Sequence, residues 1–291
     1  MKAFKHDGLA LIQVLLLTAL ISVVAIQISK TARSNVKLAQ DFQKRTQAEL
    51  LLKSAEASVL SELFRLDSHQ INGANIKGNN WYLGKAFKLN DYTNVEITPL
   101  AGRLSLLTAP ELYIKKALLL SGVEEEQLTP VYDSVMDWID ADNSTRRQGA
   151  ESSSYEGKVK PRNGPLQHVS ELASIKGMNE NIVRRFSRFV TIYATQAFNP
   201  AFATKELNSA LFGEDVAENL YTNSVNGKSF KEQDWIKLVG GQAFESVDFN
   251  PGTLHQITVE ITVGDVFIEQ VTLVKVQNQK AATPFVILSR S

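Results

Sequence analysis

LALIQVLLLTALISVVAIQI, residues 9–28, is the stretch on which the rest of the chain turns. It carries no charge, and the first charged side chain after it is Lys30. A helix of about twenty residues rises about 30 Å, the thickness of a bilayer's hydrocarbon, so Leu9 to Ile28 has the length and chemistry to cross a membrane once. Ahead of it lies MKAFKHDG, residues 1–8, short and polar with Lys2, Lys5 and His6. A cleaved secretory signal ends its apolar core in small residues, whereas Ile26, Gln27 and Ile28 offer no such site. A plain membrane anchor remains open.

Helical periodicity continues past the apolar run. TARSNVKLAQDFQKRTQAELLLKSAEASVLSELFRL, residues 31–66, has neither proline nor glycine, and its apolar residues recur at helical spacing. One helix over about Leu9 to Leu66 is expected. Val36, Leu38, Phe42, Ala48, Leu51, Leu52, Ala55, Val59, Leu60 and Phe64 supply a face able to pack on a folded head.

Length and charge bound what that head does. At 291 residues the chain exceeds the usual single domain, so at least two structural units are expected. Lysine plus arginine equals aspartate plus glutamate at 31 each, which argues against a protein built mainly to neutralise a phosphate backbone. With no cysteine, disulfide frameworks, thiolate zinc sites and cysteine nucleophiles are excluded.

After Asp67 the pattern changes to short alternating pieces between turn signals, giving expected strands near Trp81 to Phe87, Val95 to Pro99 and Arg103 to Leu107. From Pro110 the sequence turns helical through ELYIKKALLLSGV, EEEQLTPVYDSVMDWIDAD and LQHVSELASIKGMNENIVRRFSRFVTIYA, and stays mainly helical through FATKELNSALFGEDVAENLYTNSVNG and FKEQDWIKLVGG. Strand chemistry then returns: LHQITVEITVGDVFIEQVTLVKVQ reads as a hairpin about Gly264-Asp265, and FVILSR as a last strand. Strands on both sides of a helical block imply an insertion. The expected fold class is α+β, with the long N-terminal helix packed on an antiparallel sheet and a large inserted helical domain. In residue numbers these parts are 1–8, 9–66, 67–108, 109–250 and 251–291.

Asp137, Asp140 and Asp142 share one short segment, and Glu151 follows across a polar loop holding Asn143, Ser144 and Gly149. Hard oxygen donors gathered in this way suit calcium better than zinc or copper, and a helix end running into a loop can offer both carboxylates and backbone carbonyls. The spacing is not that of an EF-hand. A solvated acidic helix end with no metal is the competing reading.

The order of these parts resembles the type III prepilin-like proteins, and among them the minor, K-type pseudopilins of type II secretion. KAFKHDG before LALIQVLLLTALI resembles their leader, and the resemblance implies cleavage after Gly8 by a prepilin peptidase, leaving Leu9 as an N-methylated terminus. Most relatives carry glutamate at the fifth mature position; here it is Gln13, and the K type is the member known for lacking that glutamate. Gln13 making a neutral interhelical hydrogen bond stays open beside this. AGRLSLLTA (101–109) stands where the family has Gly-Arg-x-Asn-Leu-Asn, with Ser105 and Leu107 in place of the asparagines. PVYDSVMDWIDAD (130–142), GAES (149–152), NGPL (163–166) and SELASIKGM (170–178) follow in family order, while FNPAFA (198–203) matches only faintly, which suggests a divergent member.

The resemblance implies a head in the periplasm held by the inner membrane, a tip complex with other minor pseudopilins of the I and J types, and contact with the secretion channel or cargo. It also implies structural calcium in the helical domain, carried onto Asp140, Asp142 and Glu151 first and Asp137 and Asn163 second; the family's further acid is here Ser152.

Two other classes compete. SELASIKGMNENIVRRFSRFV also resembles a helix-hairpin-helix, with Arg184, Arg185 and Arg188 nearby, which would suit a minor pilin of a type IV pilus or DNA-uptake system. Ile175-Lys176-Gly177-Met178 lacks that motif's second glycine. An enzyme has less support, since His69, His168 and His255 are scattered and no nucleophile elbow or phosphate loop occurs.

Overall fold

The computed structural model describes residues 7–66, 74–76, 79–81, 83–157, 159–195, 197–225, 230–241, 244, 246–277 and 283–291. The leader residues 1–6 and His69 lie outside the described residues; Gly8 and Leu9 are described by their backbone only.

Helix α1 runs from Asp7 to Arg65, 59 residues without a break and about 90 Å long. Residues 11–40 are exposed on every side, the Leu11 to Ile28 stretch included. The head takes hold of the helix only from Lys44, whose ammonium pairs with Asp265 at 2.7 Å. Beyond it Ala48, Leu52, Ala55, Val59, Leu60 and Leu63 are buried. Each fully buried valine or leucine contributes about 1.5–3 kcal/mol. Of the face expected to pack, Val36, Leu38 and Phe42 are corrected to exposed, at 57%, 70% and 73%. Helical spacing fixes which residues share a stripe but not how far along the stripe the sheet reaches.

Strands β1 (Ala74–Ile76) and β2 (Asn79–Trp81) form a small antiparallel pair. The main sheet, among the described residues, has five strands: β3 (Phe87–Asn90), β4 (Thr93–Pro99), β7 (Leu254–Val263), β8 (Val266–Val276) and β9 (Phe285–Arg290), antiparallel in that order. The expected strand from Trp81 to Phe87 is thus split, with Gly84 at φ 73° turning the chain between its ends. Trp81 and Phe87 still meet, stacked at 4.8 Å. The hairpin about Gly264-Asp265 pairs Val263 with Val266, and alternation along β4 and β7 turns Val95, Ile97, Ile257, Val259 and Ile261 onto α1.

The strand expected over Arg103 to Leu107 is shorter and pairs elsewhere. β5 (Leu104–Ser105) runs parallel to β6 (Val190–Thr191), in a sheet of its own. Leu104 and Leu106 belong to a second core built by α2 (Glu111–Leu120), α3 (Leu128–Ile139), α4 (Glu180–Phe186) and α5 (Lys205–Phe212), so the helical unit begins before Ala109. α6 (Glu214–Val225) and α7 (Glu232–Leu238) follow before the chain re-enters the sheet at β7. The segment opened by Ser170 forms a 3-10 helix, Val169–Ser174, rather than an α-helix.

The junction is held by backbone and one asparagine. Asn199 is 1% exposed; its amide donates to Ala101 O at 2.7 Å and its side chain to Asn250 O at 3.2 Å. A Cβ on Gly102 would fall on the Phe202 carbonyl, so only glycine lets these segments approach.

Candidate functional site

The acidic constellation forms where α3 ends. Asp137 lies on the inward face of α3 and is fully buried, while Asp140, in extended conformation, closes the helix. The loop then doubles back. Asp142 Oδ1 accepts from the Ser144 amide at 2.7 Å, and the Gly149 amide donates to Arg146 O at 3.1 Å. Glu151, 3% exposed, opens the 3-10 turn Ser152–Ser154. Gly149 passes so close to Asp137 that a Cβ there would overlap the carboxylate.

Three of the five expected ligands come together. Carboxylate oxygens of Asp140, Asp142 and Glu151 lie within 4.8 Å of one another. Oxygens on opposite sides of one calcium, each bound at about 2.3–2.6 Å, stand about 4.6–5.2 Å apart. Asp140 Oδ1 and both Glu151 oxygens are buried without a hydrogen bond in good geometry, which is costly for carboxylates and leaves them available to a cation. Burial, followed by the charges of Asp137 and Asp140, pushes the Glu151 carboxyl above the usual range; Asp142 adds to this and the Ser152 amide works against it. The donor set therefore fits a hard divalent ion.

The other two expected ligands take different parts. Asp137 faces Arg146, whose Nη1 donates to its Oδ1 at 2.8 Å. Asn163, at φ 55°, donates from Nδ2 to Asp142 O at 2.6 Å and to Asn143 Oδ1 at 2.9 Å, bracing the loop. Arg146 is the residue that sequence reasoning missed. Its signal was a basic pair, Arg146-Arg147, inside an otherwise acidic and polar loop.

Gly177, read as the turn of a hairpin for nucleic acid, has a packing reason for its identity: φ is +85° and a Cβ would meet Val131 Cγ2 at 2.6 Å. Nearby positive charge is partly engaged, Arg188 with Glu206 at 3.6 Å and Arg184 with Asn181 at 3.1 Å. His168 lies at the cap of the 3-10 helix, bonded to Ser170, and His255 is buried in β7. Gln13 stands exposed on the first turns of α1.

A long, partly free helix laid on an antiparallel sheet, with a helical unit grown from that sheet and an acidic basin within it, defines the pilin-like class with a helical insertion. Residues 103–195 match the family described as "Type II secretion system (T2SS), protein K". Over these residues the chain is similar to protein K of type II secretion systems, and curated relatives of that description resemble it more widely. It is 28% identical over 215 residues to the "Putative type II secretion system protein K" of Escherichia coli (strain K12), covering 66% of this chain and 64% of the relative. Against type II secretion system protein K of Pectobacterium carotovorum subsp. carotovorum it is 25% identical, covering 67% and 65%. The Pseudomonas aeruginosa protein K aligns more fully, 26% identical over 288 residues, 89% of this chain and 86% of the relative. The first two alignments thus span a little under two thirds of the relatives' lengths. The crystal structure of the GspK-GspI-GspJ complex from the enterotoxigenic Escherichia coli type 2 secretion system shares the fold, with TM-score 0.59 at 16% identity, covering 87% of this chain and 98% of that chain. The DNA-contact alternative is not favoured by these relatives, which are described as secretion-system proteins and not as enzymes.

Proposed function

We propose that this chain is a minor pseudopilin that caps or nucleates a pseudopilus from the inner membrane, with its head in the periplasm. The observation that carries the reading is α1. Its residues 11–40 are exposed although rich in leucine, isoleucine and valine, so the first part suits lipid and the next offers Val36, Leu38 and Phe42 to neighbouring helices. The similarity to protein K over residues 103–195 and the fold shared with a chain of a GspK-GspI-GspJ complex support partners of the I and J types. Gln13, in place of a carboxylate, suits a subunit with none preceding it, because an unpaired carboxylate in hydrocarbon is expensive. The helical unit adds bulk that would obstruct another subunit above it.

In this reading a prepilin peptidase cuts after Gly8, and 1–8, 9–66 and the head are leader, rod and cap. Calcium bound by Asp140, Asp142 and Glu151 would neutralise carboxylates that otherwise repel, and so fold the loop after α3. Asp137 and Asn163 support that loop, and no catalytic use follows. Co-expression of the full-length chain with the two other minor pseudopilins, followed by detergent extraction and co-purification, tests the proposal. A stoichiometric ternary complex is expected; a chain that purifies alone while the other two associate would overturn it.

A further inference from the structure

Four carboxylates gather at the end of α3, and one basic side chain of the loop that follows already holds two of them. Arg146 Nη1 donates to Asp137 Oδ1 at 2.8 Å and also to Asp140 Oδ2. Its backbone amide donates to the two Asp137 oxygens at 3.3 and 3.2 Å. Asp140 Oδ1 and both oxygens of the buried Glu151 have no hydrogen bond in good geometry, and carboxylate oxygens of Asp140, Asp142 and Glu151 lie within 4.8 Å of one another. The basin therefore has a half with a built-in counter-charge and a half with none, and Asp140 belongs to both.

We infer that Arg146 is a resident cation that shares Asp140 with the divalent ion, keeping the loop folded in the ion's absence and setting the ion's affinity. The inference rests on the calcium reading above. A guanidinium one carboxylate away withdraws charge from that carboxylate and repels the ion. It also supplies the partner without which the fully buried Asp137 would be an uncompensated charge. Removing it has two effects of opposite sign: the ion-free protein is weakened while ion binding is strengthened. A residue that merely packed would weaken both.

The test uses the full-length chain in detergent micelles, with calcium chloride titrated calorimetrically and melting followed in chelator. Arg146→Gln should melt several degrees below the parent in chelator and bind calcium about tenfold more tightly, one charge-pair interaction's worth. Arg146→Lys, which keeps the charge without the fork, should fall between. Because R146Q strands a buried carboxylate, the decisive pair is Asp137→Asn against Asp137→Asn with Arg146→Gln, in which that carboxylate is already neutral. The double variant should bind calcium about tenfold more tightly than the single. Equal or weaker binding in the double variant, with the parent binding normally, overturns the role of Arg146 and leaves the calcium site standing. No calcium heat in any of these proteins overturns both.

Discussion

Arg290 Nη2 donates to Glu56 Oε1 at 2.8 Å, joining the last strand of the sheet to α1 across 234 positions of sequence. Thr272 Oγ1 donates to the same oxygen, also at 2.8 Å, so the carboxylate, 8% exposed, is gripped from two strands. Arg290→Ala should cost about 1–2 kcal/mol, reduced from the figure for a fully buried pair because the guanidinium is half exposed. Denaturant unfolding of the detergent-solubilised chain measures it, and an unchanged midpoint would show the grip to be idle.

Gly149→Ala places a methyl where the Asp137 carboxylate sits. A buried acid bonded to Arg146 has little freedom to retreat, so a loss of about 1–3 kcal/mol is expected, with weaker calcium binding as the loop shifts. A melt matching the parent's would mean that the loop yields easily.

Calcium should raise the melting temperature of the parent by several degrees over chelator, and Glu151→Gln should abolish most of that rise. In chelator E151Q should be no less stable than the parent, since the substitution removes a buried charge among like charges. Identical melts with calcium and chelator in the parent would eliminate a stabilising ion.

Burial holds the His255 imidazole down, to about 4 from its ordinary 6.5. The unfolded chain therefore takes up a proton at higher pH than the folded one, and stability present above pH 6.5 is lost progressively as pH falls toward 4, by about 3 kcal/mol from this group. His255→Gln should remove this loss, so that the parent-minus-variant difference in stability falls by about 3 kcal/mol from pH 6.5 to pH 4. Parallel stability–pH curves for the two proteins would contradict it.

If a prepilin peptidase processes the chain, mass analysis of protein extracted from cells should find Leu9 first and methylated. Retention of Met1 would favour a plain anchor. Gln13→Glu should leave the isolated protein's stability unchanged and alter only its incorporation, read as complex yield.

Long-range architecture was legible where periodicity was long. α1 and the Gly264-Asp265 hairpin follow from runs of one pattern, and the order of strands, helices and strands gave the insertion. Asp140, Asp142 and Glu151 were legible because hard donors cluster in sequence as well as in space. What escaped depends on partners far away or on very short pieces. Two residues, Leu104 and Ser105, carry no period, and their partner is β6, so nothing local assigned them to the helical unit. Asn199 and Arg290 look like ordinary polar residues until the segments they bind are known. Arg146 carries no ligand signature, because a guanidinium competes with an ion instead of holding it.

The pairing of β4 with β7 has an evolutionary corollary. Residues 100–254 leave and return where Pro99 stands opposite His255, through a doorway one strand spacing wide, about 4.8 Å. The sheet therefore does not register how much chain lies in that excursion. Lengthening it costs only slowly growing loop entropy, so the helical unit has the geometry of a graft, one that can be enlarged, trimmed or exchanged between relatives while the rod and its sheet stay as they are.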